Sequence, residues 1–360
     1  MDTRINIAVD QLYRLQPGGI ATYVTGLLRG LQELERDDLF LTLTGPAGPR
    51  PQSLASFDLP IHHGPLGVRA LTKLWAGFPL GVPRDADVVH ATSMAGPFGG
   101  GKDKAVHSVM VHDLLWRDTP HATTKAGITF HEKRLQSIKS KGDLRVIVST
   151  EVMKERLVAD GFAPERVSRV RLGADSDQAL SESPDEVAAF LASFNVHGPY
   201  VLHAGTREPR KNIERLVRAH DAARRADPSI GELVLVGPDG WGEVATGDAT
   251  VVGMVSPALL SGLYRDAGLL AFVPLNEGWG LPPVEALQHG TRVVVSTTTP
   301  STVENSEVIH VNPLDEESIT HGILEAWRQP ESESASAARR ASVADLTWRN
   351  CAADHLEVWL

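Results

Sequence analysis

Two carboxylates eight residues apart stand out in the segment 272–296, FVPLNEGWGLPPVEALQHGTRVVVS. Glu277 lies in a glycine-rich loop after a predicted buried strand, and Glu285 lies one turn inside a helix that opens with Pro282 and Pro283. The free N–H groups and the dipole of such a helix start suit a diphosphate. Because a carboxylate repels a diphosphate but accepts hydrogen bonds from hydroxyl groups, the pair predicts contacts with sugar hydroxyls at each end of a diphosphate.

A purely structural interpretation of the same pair stays open. Glu285 would then interact only with the dipole at the start of its helix, and Glu277 would be a surface residue of the loop. The pair alone does not separate the two interpretations. The surrounding glycines and prolines favour the ligand site.

A second motif, HAGTREPRKNIERLV at 203–217, places a glycine-containing loop between a strand and a helix. Its three cations are Arg207, Arg210 and Lys211. Cations beside a helix start neutralise a diphosphate and stabilise it as a leaving group. In the alternative interpretation the arginines pair with Glu208 and Glu214, which accounts for only some of these charges. The motif therefore favours a diphosphate site.

A third motif, Pro17-Gly18-Gly19-Ile20, follows the first predicted strand. Glycines in such a loop let the backbone approach a ligand closely. A plain turn explains these residues equally well, and the sequence contains no G-x-G-x-x-G dinucleotide fingerprint.

Two histidines stand at the ends of predicted strands. His112 and Asp113 belong to VHDLLW, and His90 belongs to DVVHAT. A single histidine is most often a satisfied structural residue, but one at the functional edge of a sheet can contact a sugar. His112 is the better candidate, and the claim of His90 is weaker.

Short apolar runs alternate with helical patterns along the chain, which is typical of parallel α/β units. Ligands of such sheets bind at the carboxyl ends of the strands. We therefore predict an α/β fold of two Rossmann-like, doubly wound domains that face each other across a cleft. The two series of predicted strands are 5–9, 39–45, 87–92, 108–113 and 145–150, then 200–206, 232–237, 250–255, 268–275 and 291–296.

The domain boundaries follow from a polar segment at 176–197, which is the best linker candidate. Trp348 and Trp359 in the helical tail are predicted packing residues. The predicted organisation is a Rossmann-like domain at 1–180, a second Rossmann-like domain at 181–340 and a helix at 341–360 that returns to the first domain.

Charge and composition exclude several classes of protein. The 360 residues carry a net charge of −10, with 22 basic and 19 acidic residues in 1–175 and 13 and 26 in 176–360. The acidic second half argues against a nucleic-acid groove there. A single cysteine, Cys351, rules out internal disulfides and a cysteine zinc cluster.

One basic region interrupts this pattern at 125–145, with Lys125, Lys133, Arg134, Lys139, Lys141 and Arg145. A solvated helix face is the favoured interpretation, and contact with an anionic membrane surface or an acidic acceptor is the alternative. No run of 18 apolar residues and no secretory signal is found in the sequence. The expected location is the cytoplasm, with peripheral contact at the inner face of the cell membrane as the alternative.

Taken together, the motifs resemble retaining glycosyltransferases of family 4, which have the GT-B fold, and the resemblance follows nearly the whole chain in order. NEGWGLPPVEAL at 276–287 resembles the family signature, with Glu277 and Glu285 as its Glu-x7-Glu pair, and GTREPRKN at 205–212 resembles the diphosphate motif. The other matching segments are PGGIATYVTGLL, VHD at 111–113, VSTEVMKERL at 148–157 and VRLGAD at 170–175.

The resemblance implies that the domain at 1–180 binds the acceptor and the domain at 181–340 binds the nucleotide-sugar. It also implies roles for single residues. Glu277 faces the donor sugar, Glu285 the ribose, and His112 lies near the sugar, while Lys211 binds the diphosphate. The implied donor-binding positions are Gly18, Gly19, Arg207, Arg210, Lys211, Gly278, Trp279, Gly280, Leu281 and Glu285. No metal or cofactor is implied besides the nucleotide-sugar. The segment 299–305 and Gln288-His289 depart from the family pattern. The departure at 299–305 concerns the geometry of the loop that follows the signature.

The implied function is retaining transfer of a hexose from a nucleotide-sugar to a glycan, lipid-linked or small-molecule acceptor, as in cell-surface polysaccharide or glycolipid synthesis. The LPPVEA run favours mannose, with GDP-mannose as the donor. The alternatives are a GT-B sugar phosphorylase or epimerase, and a non-catalytic protein that binds nucleotide-sugars.

Overall fold

The computed structural model describes residues 2–14, 18–120, 124–174 and 181–360. The chain forms two compact units, one of Met1–Gly173 with Thr347–Leu360 and one of Ala174–Leu346. Unit 1 and unit 2 therefore meet at 173/174 and 346/347, whereas the sequence analysis placed the boundaries at 180/181 and 340/341. The first five residues of the predicted linker, 176–180, lie outside the described residues.

Unit 1 contains a seven-stranded, all-parallel sheet in the order β3-β2-β1-β4-β5-β6-β7. Its strands are β1 (Thr3–Ala8), β2 (Leu39–Gly45), β3 (Ile61–His63), β4 (Val88–Ala91), β5 (Val106–Met110), β6 (Arg145–Val148) and β7 (Val167–Arg169). Its helices are α1 (Gly18–Glu33), α2 (Val68–Leu74), α3 (Leu115–Asp118), α4 (Lys125–Ser140) and α5 (Glu151–Ala159), and α12 (Trp348–Trp359) at the end of the chain.

Unit 2 contains a six-stranded parallel sheet in the order β10-β9-β8-β11-β12-β13. Its strands are β8 (Tyr200–Ala204), β9 (Glu232–Val236), β10 (Thr250–Gly253), β11 (Leu269–Phe272), β12 (Val293–Ser296) and β13 (Ile309–Val311). Its helices are α6 (Pro184–Ala192), α7 (Ile213–Ala226), α8 (Pro257–Asp266), α9 (Leu281–Gln288), α10 (Glu316–Arg328) and α11 (Glu333–Ala341).

The central strands are continuous apolar runs because helices cover the sheets on both faces. Every residue of β4, β8, β11 and β12 is buried, as expected for strands inside a parallel sheet. In unit 2 the strand order changes direction between β8 and β11, and in unit 1 between β1 and β4. The loops that leave these strands lie where doubly wound sheets bind their ligands.

The structure adds three strands to those predicted, namely β3, β7 and β13. Each has three residues, and each lies at the edge of its sheet. Because these edge strands are half exposed and only three residues long, they contain no apolar run that a sequence pattern can detect.

The last helix packs on the first helix of unit 1 through small residues. A Cβ atom at Gly26 would lie 2.1 Å from the Trp348 ring, and one at Gly30 would lie 2.0 Å from the Trp348 carbonyl oxygen. The two glycines therefore permit close contact between α1 and α12. Trp348 and Trp359 are 2% and 1% exposed, which confirms them as packing residues.

A chain of buried hydrogen bonds joins α12 to the core of unit 1. His355 Nδ1 lies 2.8 Å from the Cys351 carbonyl oxygen and so carries the proton, which leaves Nε2 to accept from the Tyr23 hydroxyl at 2.8 Å. The Tyr23 oxygen then accepts from His90 Nε2 at 2.8 Å. His90 Nδ1 in turn accepts from the Ser108 hydroxyl at 2.9 Å. One proton arrangement satisfies every link, and it requires both histidines to be neutral.

This network explains why His90 is not a ligand residue, which corrects the weaker of the two histidine hypotheses. His90 is fully buried in β4, with both ring nitrogens engaged inside the unit. Trp359 Nε1 completes the chain by donating to Ser108 Oγ at 2.8 Å. The C-terminal helix is thus attached to the strands by polar contacts as well as by packing.

Acidification is expected to weaken the fold through this network. Burial lowers the pKa of His355 to about 4, and burial also lowers the pKa of His90 well below its ordinary value. Because the unfolded chain takes up these protons near pH 6.5 and the folded chain does not, stability falls as the pH drops below about 6.5. At pH 5 the loss from His355 alone is about 2 kcal/mol.

Chemical denaturation of the full chain at pH 7, 6 and 5 measures this loss. A His355→Gln variant starts from a lower stability but shows a shallower dependence on pH, because one titrating group is gone. Equal pH slopes in the two proteins would show that the network is not the cause.

The basic region at 125–145 is only partly a solvated face. Arg134 is 3% exposed, donates to the Met94 carbonyl oxygen at 2.5 Å and lies 3.9 Å over the Phe98 ring. Lys139 and Arg145 also donate to backbone carbonyl oxygens of the unit. Half of the six cations are therefore used inside the fold. Among the described residues, no helix has the length and apolar content needed to cross a bilayer.

Candidate active site

The first predicted motif forms the loop between β11 and α9. Gly280 precedes α9 with φ of 95°, and Pro282 and Pro283 occupy the first helical turn. A Cβ atom at Gly280 would lie 2.5 Å from Cγ2 of Thr299, so both the backbone angle and the space require glycine. Glu285 follows one turn inside the helix, at the spacing that the sequence indicated.

The segment 299–305, which departs from the family pattern, forms hydrogen bonds to this loop through Ser301. The Ser301 amide donates to the Trp279 carbonyl oxygen at 2.9 Å, and the Ser301 hydroxyl donates to the Gly280 carbonyl oxygen at 2.7 Å. Trp279 itself is 8% exposed. The altered segment 299–305 therefore fixes the glycine loop through a contact of its own, which sequence comparison alone does not show.

The Glu277 carboxylate is the centre of a buried charge cluster. Its side chain is 10% exposed, and Oε1 accepts from Arg210 Nη1 and from Lys211 Nζ, each at 2.6 Å. Burial raises the pKa of Glu277, but the charges of Lys211 and Arg210 outweigh burial and lower it to about 2. Glu277 is therefore ionised at neutral pH, and the hypothesis that it is a surface residue is wrong.

The second motif delivers Lys211 to this cluster through a tight turn. A 3-10 turn covers Pro209–Lys211, and Asn212 follows it with φ of 61° at the start of α7. The Asn212 amide anchors the turn by donating to the carbonyl oxygens of Val273 and Pro313 at 3.0 and 2.8 Å. Lys211 Nζ then lies 4.9 Å from the centre of the Phe272 ring.

Arg210 is held by three oxygen atoms. Besides Glu277 it contacts Glu208 Oε1 at 2.5 Å and the Asn276 carbonyl oxygen at 2.8 Å. The alternative in which the arginines pair with neighbouring acids is thus correct for Arg210 and Glu208. It does not hold for Glu214, which instead accepts from the Ala245 amide at 3.0 Å.

Arg207 points to a different part of the same edge of the sheet. Nη1 donates to the Gly237 carbonyl oxygen and Nη2 to Asp239, each at 2.6 Å. Gly237 and Asp239 follow β9, so Arg207 joins two loops at the carboxyl ends of neighbouring strands. Of the three predicted cations, Arg210 and Lys211 form one cluster, and Arg207 lies outside it.

Glu285 has a partner that the sequence analysis missed. The Tyr264 hydroxyl, on α8, donates to Glu285 Oε2 at 2.7 Å. Tyr264 is 2% exposed, and burial together with the nearby carboxylate raises the pKa of its hydroxyl well above 10. The only sequence signal was a tyrosine on the apolar face of a helix, because a buried hydroxyl needs a polar partner.

His203, in β8, is a second residue that the analysis missed. Nδ1 lies 3.0 Å from the Ala271 carbonyl oxygen and therefore carries the proton. Nε2 is buried and has no hydrogen-bond partner within the described parts of the chain. Burial lowers the pKa of His203 to about 4, so the ring is neutral. A Cβ atom at Gly205 would lie 3.8 Å from both His203 Nε2 and Lys211 Nζ, which places the ring beside the cluster.

The remaining predicted residues belong to unit 1. His112 is partly buried, and its Nε2 donates to the Thr92 carbonyl oxygen at 2.9 Å. Burial lowers its pKa, so the ring is neutral and Nδ1 is an acceptor. Gly18 and Gly19 form the exposed first turn of α1, with open space beside both Cα atoms. Pro17 lies outside the described residues.

Within 2–14, 18–120, 124–174 and 181–360, no three His, Cys, Asp or Glu side chains converge as metal ligands would. In unit 2 the positive charges beside the glycine loop are Arg210 and Lys211. Such cations can neutralise a diphosphate themselves.

Comparison with known proteins agrees with this geometry. The family described as "Glycosyl transferases group 1" matches residues 198–329, which contain both motifs of unit 2. O-antigen chain mannosyltransferase B of Escherichia coli is 28% identical over 258 residues, covering 67% of this chain and 66% of that protein. D-inositol 3-phosphate glycosyltransferase of Mycobacteroides abscessus is 30% identical over 177 residues, covering 45% of this chain and 38% of that protein. The chain thus spans less than two thirds of the length of these relatives.

Solved structures show the same fold over the whole chain. Anabaena HepE, in complex with UDP and glucose, has a TM-score of 0.71 at 14% identity, covering 99% of both chains. WaaG, a glycosyltransferase involved in lipopolysaccharide biosynthesis, has a TM-score of 0.69 at 14% identity, covering 98% of this chain and 99% of that one. With the two parallel sheets and the group 1 match, these findings confirm the resemblance. The chain has the GT-B fold of these solved structures, and its residues 198–329 match the glycosyl transferases group 1 family.

Proposed function

We propose that the chain is a retaining, metal-independent hexosyltransferase that uses a nucleotide-sugar donor and acts in polysaccharide or glycolipid synthesis. The observation that carries the proposal is the Glu277–Arg210–Lys211 cluster beside the glycine loop, at the switch point of the unit 2 sheet. Mannose, with GDP-mannose as donor, is the first choice because the Escherichia coli relative is a mannosyltransferase. The Anabaena neighbour was solved with UDP and glucose, which makes a UDP-sugar the competing donor.

The cluster suits departure of a diphosphate. Negative charge grows on the leaving oxygen as the bond between the sugar C1 and that oxygen breaks, and a cation aimed at the oxygen stabilises this charge. Lys211 has three N–H groups, and only one is needed for Glu277. We propose that the others bind the diphosphate beside the glycine loop at 278–281 and the start of α9.

Glu277 is proposed to bind sugar hydroxyls and not to transfer protons. With a pKa of about 2 it is ionised throughout the neutral range, so it accepts hydrogen bonds and has no proton to donate. The acceptor hydroxyl attacks C1 on the face that the diphosphate leaves, and its proton passes to the departing phosphate oxygen. No side chain is required as a covalent nucleophile on this route.

The other predicted residues receive roles consistent with their chemistry. His112 accepts a hydrogen bond from a sugar hydroxyl through Nδ1, because its Nε2–H already donates to the Thr92 carbonyl oxygen. Glu285, oriented by the Tyr264 hydroxyl, accepts from the ribose hydroxyls of the donor. Gly18 and Gly19 allow close approach of backbone to the donor.

The proposal is tested by incubating the full chain with GDP-mannose or UDP-glucose and a panel of saccharide and lipid-linked acceptors. We expect GDP release and an α-linked mannosyl product from the α-linked donor, at a rate that EDTA leaves unchanged. A β-linked product would contradict retention, and loss of rate in EDTA would contradict metal independence. Tight donor binding with neither transfer nor slow hydrolysis of the donor would favour a non-catalytic binding protein. Phosphate-dependent cleavage of a glucan would favour a phosphorylase.

A further inference from the structure

Gln288 is the last residue of α9, the helix that begins at the glycine loop and carries Glu285. Leu281, Glu285 and Gln288 are spaced i, i+4 and i+7, so they lie on one face of this helix. The helix has eight residues, which is about two turns. A contact at its last residue therefore also fixes the position of its first turn.

The Gln288 side chain binds both ends of unit 2. The chain enters this unit at Ala174 and leaves it at Leu346. Gln288 Nε2 donates to the carbonyl oxygens of Ala174 and Leu346 at 2.5 and 3.3 Å. Ala174 and Leu346 are 2% and 6% exposed, so water competes little for these bonds. One side-chain amide thus ties α9 to two segments that lie 114 and 58 positions away in the sequence.

The two ends are also paired with each other. The Ala174 amide donates to the Leu346 carbonyl oxygen at 3.0 Å. One residue outside unit 2, a Cβ atom at Gly173 would lie 2.3 Å from the Thr347 carbonyl carbon, so glycine permits the two segments to run this closely together. Gln288 therefore contacts a pair of segments that are already bonded to each other.

This contact depends on the type of residue at position 288. A small side chain there would reach neither carbonyl oxygen, and Gln288 belongs to the pair Gln288-His289 that departs from the family pattern. We propose that Gln288 is a positioning residue for the diphosphate site, because it holds α9 against both ends of unit 2 and so sets where the start of α9 and Glu285 stand. The inference rests on the proposed function, since it concerns how the same site is held.

Loss of this tie weakens the binding of the ground state and of the transition state alike. Both depend on the position of α9, so the dissociation constant of the diphosphate and the KM for the donor rise together, about three- to tenfold, while kcat stays within about twofold. A smaller folded fraction would instead lower the apparent kcat and leave KM unchanged. The split between KM and kcat therefore separates positioning from stability.

The same coupling acts in the opposite direction. Coupling free energies are reciprocal, so a bound diphosphate strengthens the tie by the factor by which the tie strengthens diphosphate binding. Hydrogen exchange at the Ala174 amide requires that its bond to Leu346 opens. In the wild type, saturating diphosphate therefore slows exchange at Ala174 about three- to tenfold.

The experiment compares the wild type with Gln288→Met, which keeps the length and charge of the side chain but has no N–H group. GDP, UDP, ADP and dTDP are titrated by calorimetry, and steady-state transfer assays give KM and kcat. Mass spectrometry follows exchange at Ala174 with and without the diphosphate that binds. We expect Gln288→Met to show the weaker binding, the raised KM and no slowing of exchange by the diphosphate.

The matched control is Gln329→Met, the same change at an exposed residue after α10. It retains the wild-type affinity, KM and exchange. Equal diphosphate affinity in Gln288→Met and the wild type, equal slowing of exchange in both, or a loss of kcat without a rise in KM would overturn the inference and leave the proposed function intact. Failure of the wild type to bind any of the four diphosphates would contradict the proposed function, and the inference with it.

Discussion

A Glu277→Gln protein is expected to lose about 10²- to 10³-fold in kcat/KM for transfer while binding the nucleoside diphosphate at least as tightly as the wild type. The carboxylate accepts from Arg210 and Lys211 through the same oxygen, so the amide removes the counter-charge of Lys211 and leaves Arg210 with Glu208 alone. The diphosphate then supplies that counter-charge. The sugar loses its acceptor of hydroxyl hydrogen bonds, and turnover falls.

The same change affects the fold in the free protein. Removing one partner of a buried ion pair lowers the free energy of unfolding by about 3–5 kcal/mol, so the variant is less stable without ligand. Because a diphosphate neutralises the two cations, its stabilising effect on Tm is larger in Glu277→Gln than in the wild type. Calorimetric titration measures the affinity for the diphosphate, and steady-state assays measure the rate of transfer.

The matched control is Glu214→Gln, which removes a carboxylate of the neighbouring helix α7 that bonds the Ala245 amide and no cation of the cluster. Its transfer rate and diphosphate affinity stay near the wild-type values. Weakened diphosphate binding in Glu277→Gln, or undiminished transfer, would contradict the roles given to the cluster.

Lys211→Ala is expected to show the opposite pattern, with loss of both diphosphate binding and transfer. Its ammonium is the cation proposed to hold the leaving group, and a hydrogen bond to a charged group contributes about 1.5–3 kcal/mol. Diphosphate affinity therefore falls about 10- to 100-fold, and kcat/KM about 10²- to 10³-fold. Arg210 keeps Glu277 as its partner, so the fold tolerates this change better than Glu277→Gln.

Titrations of the wild type and both variants with one nucleoside diphosphate check this prediction. Lys211→Arg keeps the charge but replaces a compact ammonium with a planar group, and we expect only partial recovery. If Lys211→Ala bound the diphosphate as tightly as the wild type, Lys211 would not be the residue that holds the leaving group.

Much of the fold was predictable because it depends on local patterns. Apolar runs such as 268–275 and 291–296 are strands buried on both faces, and their pattern survives without knowledge of their neighbours. The edge strands β3, β7 and β13 were missed because three residues carry no pattern, and their existence depends on a neighbouring strand. The unit boundaries at 173/174 and 346/347 depend in the same way on long-range packing.

The candidate site, too, was predictable only where it depends on local sequence. The loop and the helix start that carry Glu277 and Glu285 could be predicted from glycine and proline spacing. The pairing of Glu277 with Arg210 and Lys211 could not be predicted. These two cations stand 67 and 66 positions before Glu277, and they meet it only when β8 and β11 become neighbours. The contact of Tyr264 with Glu285 likewise forms only when α8 packs against α9.

The most direct test of the central claim, that unit 2 binds a nucleoside diphosphate through the site around Glu277 and Glu285, is a thermal denaturation panel. GDP, UDP, ADP and dTDP are added at equal concentration to the wild type and to Glu285→Ala. A ligand at 100 times its dissociation constant stabilises the native state by about 2.7 kcal/mol, a Tm shift of a few degrees. We predict that one diphosphate stabilises the wild type and stabilises Glu285→Ala much less, and its base identifies the donor. No shift with any of the four, in a folded wild type, would contradict the claim.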